Sequence, residues 1–366
     1  MPMRILVVGP QFADSFARNI LVTLQGMGHQ VTTEGGTNTH HHGNRYWNAL
    51  WGSLHRGFPS LEGRAFNALI RRARALQPEL VLITYGIMPP QVVAKLREEC
   101  RAKVACWFTD PISNLHRQYL LASPFDALFL KEPFMVRTFR EKLGMNAHYL
   151  PEACNPQWHK PTEVTTAARA KYSCDVAAAG SFHYYRARML EGFAGYDLKI
   201  WGNNCPPWIS SPIKHRYTHQ FVAEAEKAKA YLSAKVLINT MFYSEIEGVN
   251  CTLFEAAGCG AFQIADWKPS LPELFEPERE VVTFRTRQEL KAEVDYYLAH
   301  PEKRHEIADR ACARAHSEHT YEKRLEKMFE ILGMRSEPRL RVDDRELVAQ
   351  CGGAATQHVA TSRAWR

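Results

Sequence analysis

Two carboxylates eight positions apart, Glu247 and Glu255, are the residues of this chain best suited to do chemistry. They stand in the run Glu245-Ile246-Glu247-Gly248-Val249-Asn250-Cys251-Thr252-Leu253-Phe254-Glu255-Ala256-Ala257-Gly258-Cys259-Gly260. The pattern predicts a short helix over 252–257, entered through Gly248 and Asn250 and stopped by Gly258 and Gly260, with an apolar strand at 261–265 beyond it. The first turn of a helix carries unpaired backbone N–H groups and the positive end of the helix dipole, and a diphosphate satisfies both. Glu255, about one turn in, offers two oxygens to the hydroxyls of a ribose diol. Glu247, ahead of the helix, lies nearer to a group being transferred.

The elements that must hold such a site repeat along the chain. A strand at 4–8, a turn at Gly9-Pro10, a helix over 14–27 and a strand at 30–33 form a βαβ unit. Asp14 is the expected N-cap, and Phe16, Ile20, Leu21 and Leu24 share the face that packs on the sheet. Gly9 is followed by Pro-Gln-Phe-Ala-Asp, without the glycine spacing that lets backbone touch a dinucleotide pyrophosphate, which argues against a nicotinamide or flavin site. Further strands are expected at 79–84, 103–108 and 127–130, with a helix at 91–101. A proline-punctuated stretch follows, and 151–170 is the best linker candidate. Strands resume at 174–180, 197–201, 235–239 and 261–265, before helical patterns at 286–299 and 301–332. The fold class expected is α/β, with two parallel-sheet halves facing a central cleft.

Composition narrows the classes of function. The chain has 366 residues, enough for two domains at ~100–200 residues each. Apolar residues make up 45% and charged residues 23%, which suits globular cores and excludes wholesale disorder. A net charge of +7 favours phosphate-bearing ligands but falls short of a nucleic-acid arm. Nine cysteines without a CxxC pair give neither a disulfide framework nor a zinc site. His40, His41 and His42 stand in a polar loop with no matching carboxylate cluster, so no metal site is expected there. Apolar runs reach only strand length against the ~20 residues of a membrane span, and the first residues lack a secretory pattern; a cytoplasmic address is expected.

Glu247 and Glu255 match the E-x7-E pattern of retaining GT-B glycosyltransferases, and the wider sequence resembles the CgeB-type branch of the group 1 family. The resemblance spans about residues 4–330. It includes the opening Gly9-Pro10-Gln11-Phe12-Ala13-Asp14-Ser15-Phe16-Ala17-Arg18-Asn19-Ile20, Trp107-Phe108-Thr109-Asp110-Pro111 and Leu150-Pro151-Glu152-Ala153. It also includes Gly180-Ser181 with Arg186, and His319-Thr320-Tyr321 with Arg324. It implies the GT-B fold, with two Rossmann-like domains: an acceptor-side domain over 1–155, a nucleotide-sugar domain over 170–318, a helix at 319–334 that crosses back, and a tail at 335–366. It implies transfer of a sugar from a nucleoside-diphosphate donor, with retention, without metal or cofactor.

By residue, the resemblance assigns ribose binding to Glu255, donor-sugar contact to Glu247, and phosphate contact to the backbone of Asn250 and Cys251. Gly180, Ser181 and Thr252 complete the donor side. Arg186, with Arg188 as the fallback, is expected to neutralise the leaving diphosphate, because charge builds on that phosphate as the glycosidic bond breaks. Asp110 ends a strand where open α/β folds place ligands, and is the candidate on the acceptor side; a turn-capping role is the ordinary alternative. His319, Tyr321 and Arg324 are expected to tie the last helix to the core. Thr252 stands where many relatives carry arginine, so Lys214 or Arg216 is expected to supply that cation. The acceptor stays open among protein, glycan, lipid-linked and nucleic-acid classes, as does the oligomeric state. A sugar-nucleotide epimerase and a non-catalytic partner subunit on the same fold are the competing readings.

Overall fold

The computed structural model describes residues 2–35, 58–111, 113, 118–202 and 205–334. The histidines at 40–42 and the tail at 335–366 lie outside them. The described residues divide into two compact units: one of residues up to Leu150 together with 325–334, the other Pro151–Arg324.

The first unit alternates strand and helix: β1 (Arg4–Val8), α1 (Phe16–Gly26), β2 (Gln30–Glu34), α2 (Pro59–Leu76), β3 (Leu80–Ile83), α3 (Pro90–Cys100), β4 (Lys103–Phe108), α4 (Tyr119–Ala122), β5 (Ala127–Leu130), α5 (Pro133–Leu143) and β6 (Ala147–Tyr149). All neighbours pair parallel, in the order β2-β1-β3-β4-β5-β6. Apart from the first residues of β1 and β4, the strands β1, β3, β4 and β5 are buried at every position, as expected when helices cover both faces of a parallel sheet. Leu6, Val81, Val104 and Leu128 of the strands pack with Ile70, Val93 and Leu96 of the helices. The N-cap of α1 is Ser15, whose Oγ accepts from the Arg18 N–H at 3.2 Å, and not Asp14. Asp14 adopts φ of 61°, a left-handed conformation that Asp tolerates better than most residues, while Ser15 takes the extended backbone that a capping residue needs.

The second unit continues with α6 (Thr166–Tyr172), β7 (Cys174–Ala179), α7 (Tyr184–Leu190), β8 (Leu198–Trp201), α8 (Glu224–Ser233), β9 (Ala234–Asn239), α9 (Cys251–Cys259), β10 (Gln263–Asp266), α10 (Leu271–Leu274), β11 (Val282–Phe284), α11 (Arg287–Ala299) and α12 (Pro301–Glu318). The sheet is again parallel, ordered β11-β10-β9-β7-β8. One face, with Val176, Val236 and Ile264, packs on α7 and α11 through Leu190, Leu290 and Val294. The other, with Ala177 and Leu237, packs on α8 and α9 through Ala228, Tyr231 and Ala256.

The helical pattern over 301–332 resolves into two helices, because α12 ends at Glu318 and α13 (Tyr321–Ile331) starts afresh. Between them the backbone pairs with Cys154, whose N–H donates to His319 O at 2.9 Å and whose carbonyl accepts from the Tyr321 N–H at 3.1 Å. A hydrogen-bonded partner far away in the chain thus replaces the helical bonds at that point. The later part of α13 belongs to the first unit, where Phe329 meets the edge of the His29 ring at 5.4 Å.

The proline-punctuated stretch is no exposed linker at its start: residues 151–155, Trp158 and His159 are buried in the second unit. Gly258 is part of α9 rather than its stop, and the reason is this packing. A Cβ on Gly258 would lie 2.8 Å from Cys154 Cβ and 3.0 Å from the His159 carbonyl. Gly260, with φ of 76°, ends the helix. Among the described residues no helix is long and apolar enough to cross a membrane.

Candidate functional site

In the second sheet the chain runs outward from β7 to β8, then returns to β9 on the other side of β7 and continues to β10 and β11. The strand order therefore reverses between β7 and β9, and a crevice at the carboxyl ends of such neighbours is where open α/β sheets bind ligands. Gly180 and Ser181 follow β7 there, and Thr240 follows β9. Arg186, one turn into α7, joins the two ends. Its Nε donates to Thr240 Oγ1 at 3.0 Å and its Nη1 to Ser181 O at 2.6 Å. Gly180 has φ of 108°, and a Cβ there would meet Arg186 Nη1 at 2.7 Å, so a glycine is needed both for the backbone and for the guanidinium. Burial pulls the Arg186 pKa below its ordinary value, against the pull of Tyr231, Glu245, Tyr217 and Cys251. Two N–H groups of the fork are committed among the described residues; the others remain for an anion.

The helix that carries Arg186 is capped by His183, whose Nδ1 accepts from the Arg186 backbone N–H at 3.3 Å. That bond requires an unprotonated Nδ1. Burial, helped by the Arg186 charge and opposed by Glu245, lowers the His183 pKa to about 4 and keeps the cap neutral.

Helix α9 begins beside the same strand ends. Asn250 caps it, its Oδ1 accepting from Leu253 N at 3.3 Å, and its amide exchanges hydrogen bonds with Asn239, the last residue of β9, at 2.8 and 3.1 Å. The Asn250 backbone N–H donates to Met241 Sδ at 3.4 Å, so of the two expected phosphate donors Asn250 is already engaged. Cys251 and Thr252 are half-buried in the first turn. Glu255 is 4% exposed, and its Oε2 pairs with Lys227 Nζ of α8 at 2.9 Å. His159 Nε2 stands 4.0 Å from the other oxygen. Glu247 is half-buried in the loop before the helix, with its carbonyl held by Ser270.

The far side of α9 is clamped by residues expected to tie the last helix down. His319 is buried against Phe254 and Phe275, with ring centroids 5.4 and 4.9 Å away. Its Nε2 donates to Leu274 O at 2.6 Å, and its Nδ1 accepts from Arg324 Nη2 at 3.1 Å. Arg324 also donates to Pro151 O at 3.1 Å. Burial, aided by the Arg324 charge, lowers the His319 pKa to about 4. The folded pKa lies below the unfolded value near 6.5, so His319 contributes stability above pH 6.5 that is lost as pH falls toward 4, about 3 kcal/mol in all. Urea unfolding of wild type and His319→Gln at pH 7.5 and pH 4.5 checks this: the wild type is expected to lose more stability on acidification than the variant.

The other expected residues have these places. Arg188 is exposed on α7 and paired with Glu191 at 2.9 Å. Lys214 Nζ binds the carbonyls of Pro207 and Ile209 at 3.1 and 2.8 Å, and Arg216 that of Ala194 at 3.3 Å; these cations hold loops together. Asp110 is exposed just beyond β4, in the first unit. Thr240 and Lys227 escaped the sequence reading. Thr240 had one signal, its place directly after a strand; Lys227 had none, since a lysine on a short helix ordinarily reads as solvated.

Comparison with known proteins bears on the fold. Residues 185–330, which include Arg186, Glu247 and Glu255, match the family model described as glycosyl transferase-like. Among curated proteins nothing matches. Sucrose-phosphate synthase from Thermosynechococcus elongatus superimposes with a TM-score of 0.64 at 14% identity, covering 90% of this chain and 98% of that one. Anabaena HepE, solved in complex with UDP-glucose, gives 0.62 at 13% identity, covering 90% and 99%. An α,α-trehalose-phosphate synthase (UDP-forming) from Burkholderia vietnamiensis gives 0.55 at 12%, covering 91% and 98%. With its two parallel sheets and their order, the chain has the GT-B glycosyltransferase fold.

Proposed function

We propose that the second unit binds a nucleoside-diphosphate sugar at the β7–β9 crevice and that the chain transfers the sugar to an acceptor with retention of configuration. The observation that carries this reading is the Arg186–Thr240 bond: a guanidinium with N–H groups to spare is held across the strand ends where the chain order reverses, within electrostatic reach of Cys251 at the start of α9. Arginine and a helix N-terminus together supply positive charge to a diphosphate without a metal ion. Positive charge aimed at the leaving phosphate stabilises the transition state more than the ground state, because that phosphate gains charge as the bond to the sugar breaks. Retention needs no separate base if the departing phosphate takes the acceptor proton, which leaves positioning and electrostatics to the protein. Glu255 holds the ribose with Lys227 behind it, and Glu247 meets the donor sugar. HepE, solved with UDP-glucose on the same fold, supports the ligand class.

Isothermal titration with UDP, GDP and TDP tests the reading. One of the three is expected to bind, and Glu255→Gln to weaken it about tenfold or more, the loss of one hydrogen bond to a charged group. Failure of all three to bind would overturn it. Incubation with the matching nucleotide sugar alone, followed by sugar analysis, detects an epimerase, which changes the sugar without an acceptor.

A further inference from the structure

The segment that follows β10 makes contacts that its own helix does not require. Ser270 stands at the N-cap position of α10, where serine ordinarily bonds the first turn of its helix. It makes no such bond here. Its hydroxyl instead crosses to Glu247 O at 2.6 Å, and its backbone N–H donates to the same carbonyl at 3.1 Å. Two residues earlier, the largely buried Lys268 donates from Nζ to Glu245 O at 2.7 Å, with Asp266 Oδ2 3.9 Å from the ammonium. Glu245 is itself buried, and its Oε2 accepts from the Phe242 N–H at 2.6 Å. Asp266, at the end of β10, lies within electrostatic reach of Tyr185, the neighbour of Arg186 on α7.

Burying a lysine whose carboxylate partner stands 3.9 Å off and whose short bond is to a loop carbonyl is costly unless the loop has to be held, since surface connections are otherwise the mobile parts of a domain. We propose that Lys268 and Ser270 are positioning residues that fix the loop presenting Glu247 to the transferring sugar. They act on the sugar end of the donor only, because the diphosphate and ribose are held by Arg186, α9 and Glu255. The inference rests on the donor-site reading above.

The experiment uses the full chain with Ser270→Ala, Lys268→Met and the conservative Lys268→Arg. Amide hydrogen exchange over 245–249 is measured without ligand. Affinity is measured for whichever of UDP, GDP and TDP binds, and nucleotide release from a panel of sugars on that nucleotide gives kcat. Ser270→Ala and Lys268→Met are each expected to speed exchange in the loop and lower kcat by about tenfold, with nucleoside-diphosphate affinity unchanged; Lys268→Arg restores both. Unchanged exchange overturns the bracket, and faster exchange with unchanged kcat overturns its role in positioning. A lost nucleotide affinity in step with kcat would also overturn it, as general damage to the unit. A wild type that binds a nucleoside diphosphate yet releases it from no sugar of the panel overturns the assignment of Glu247 and this proposal with it. A wild type that binds none of the three overturns the functional reading instead, while the exchange result stands by itself.

Discussion

Arg186→Ala is expected to lower kcat/KM for donor consumption by two to three orders of magnitude, about 3–4 kcal/mol of transition-state stabilisation. The expectation follows from where the guanidinium is. Thr240 and Ser181 orient it, Gly180 leaves it room, and burial raises the value of each interaction it makes with an arriving anion. Arg186→Lys is expected to recover only a small part, since an ammonium cannot bond Thr240, the Ser181 carbonyl and a phosphate in the same planar fork. Thr240→Val separates orientation from charge: it keeps the cation and the volume, and is expected to cost about tenfold, the value of one hydrogen bond to a charged group. Steady-state kinetics with thermal unfolding of each variant checks the series. Activity that survives Arg186→Ala, or falls only in step with melting temperature, would remove Arg186 from the chemistry.

Lys227→Met is expected to be the most destabilising single change at the site, by about 3–5 kcal/mol at pH 7.5. Lys227 and Glu255 are 8% and 4% exposed and 2.9 Å apart, so removing the lysine leaves a buried carboxylate with only His159 among the described residues, 4.0 Å from its other oxygen. A double-variant comparison, each deficit measured by urea unfolding, distinguishes this cause from lost packing. Glu255→Gln placed on Lys227→Met is expected to remove much of the deficit, since the carboxylate that faced the missing ammonium is then neutral. A deficit that is equal in both backgrounds would mean that the methylene stem of Lys227, and not its charge, is what the site needs.

The two changes also show how far the site can be traced from the order of residues alone. Glu247, Glu255 and Arg186 are singled out as candidates by spacing, composition and a resemblance, and the turn-helix-turn pattern that holds the two carboxylates is written in neighbouring positions. The Asn250 cap is equally local, since its bond to Leu253 spans three residues. The strands of both sheets were legible too, except the short β6 and β11, where three residues leave little pattern to read. Lys227 was not legible, for its partner is 28 positions away on another helix and a lysine carries no mark of burial.

Local periodicity and turn chemistry were therefore enough to establish alternating strands and helices, two parallel sheets, and a helix entry flanked by two acids. They could not establish that Thr240 would receive Arg186 across 54 positions, that Ser270 would reach back 23 positions to Glu247, or that Cys154 would break the last helical run at Thr320. Those facts depend on which strands become neighbours when the sheet closes. Hydrogen bonds and ion pairs between distant residues become favourable only once burial has excluded water around them, and burial is a property of the folded chain as a whole.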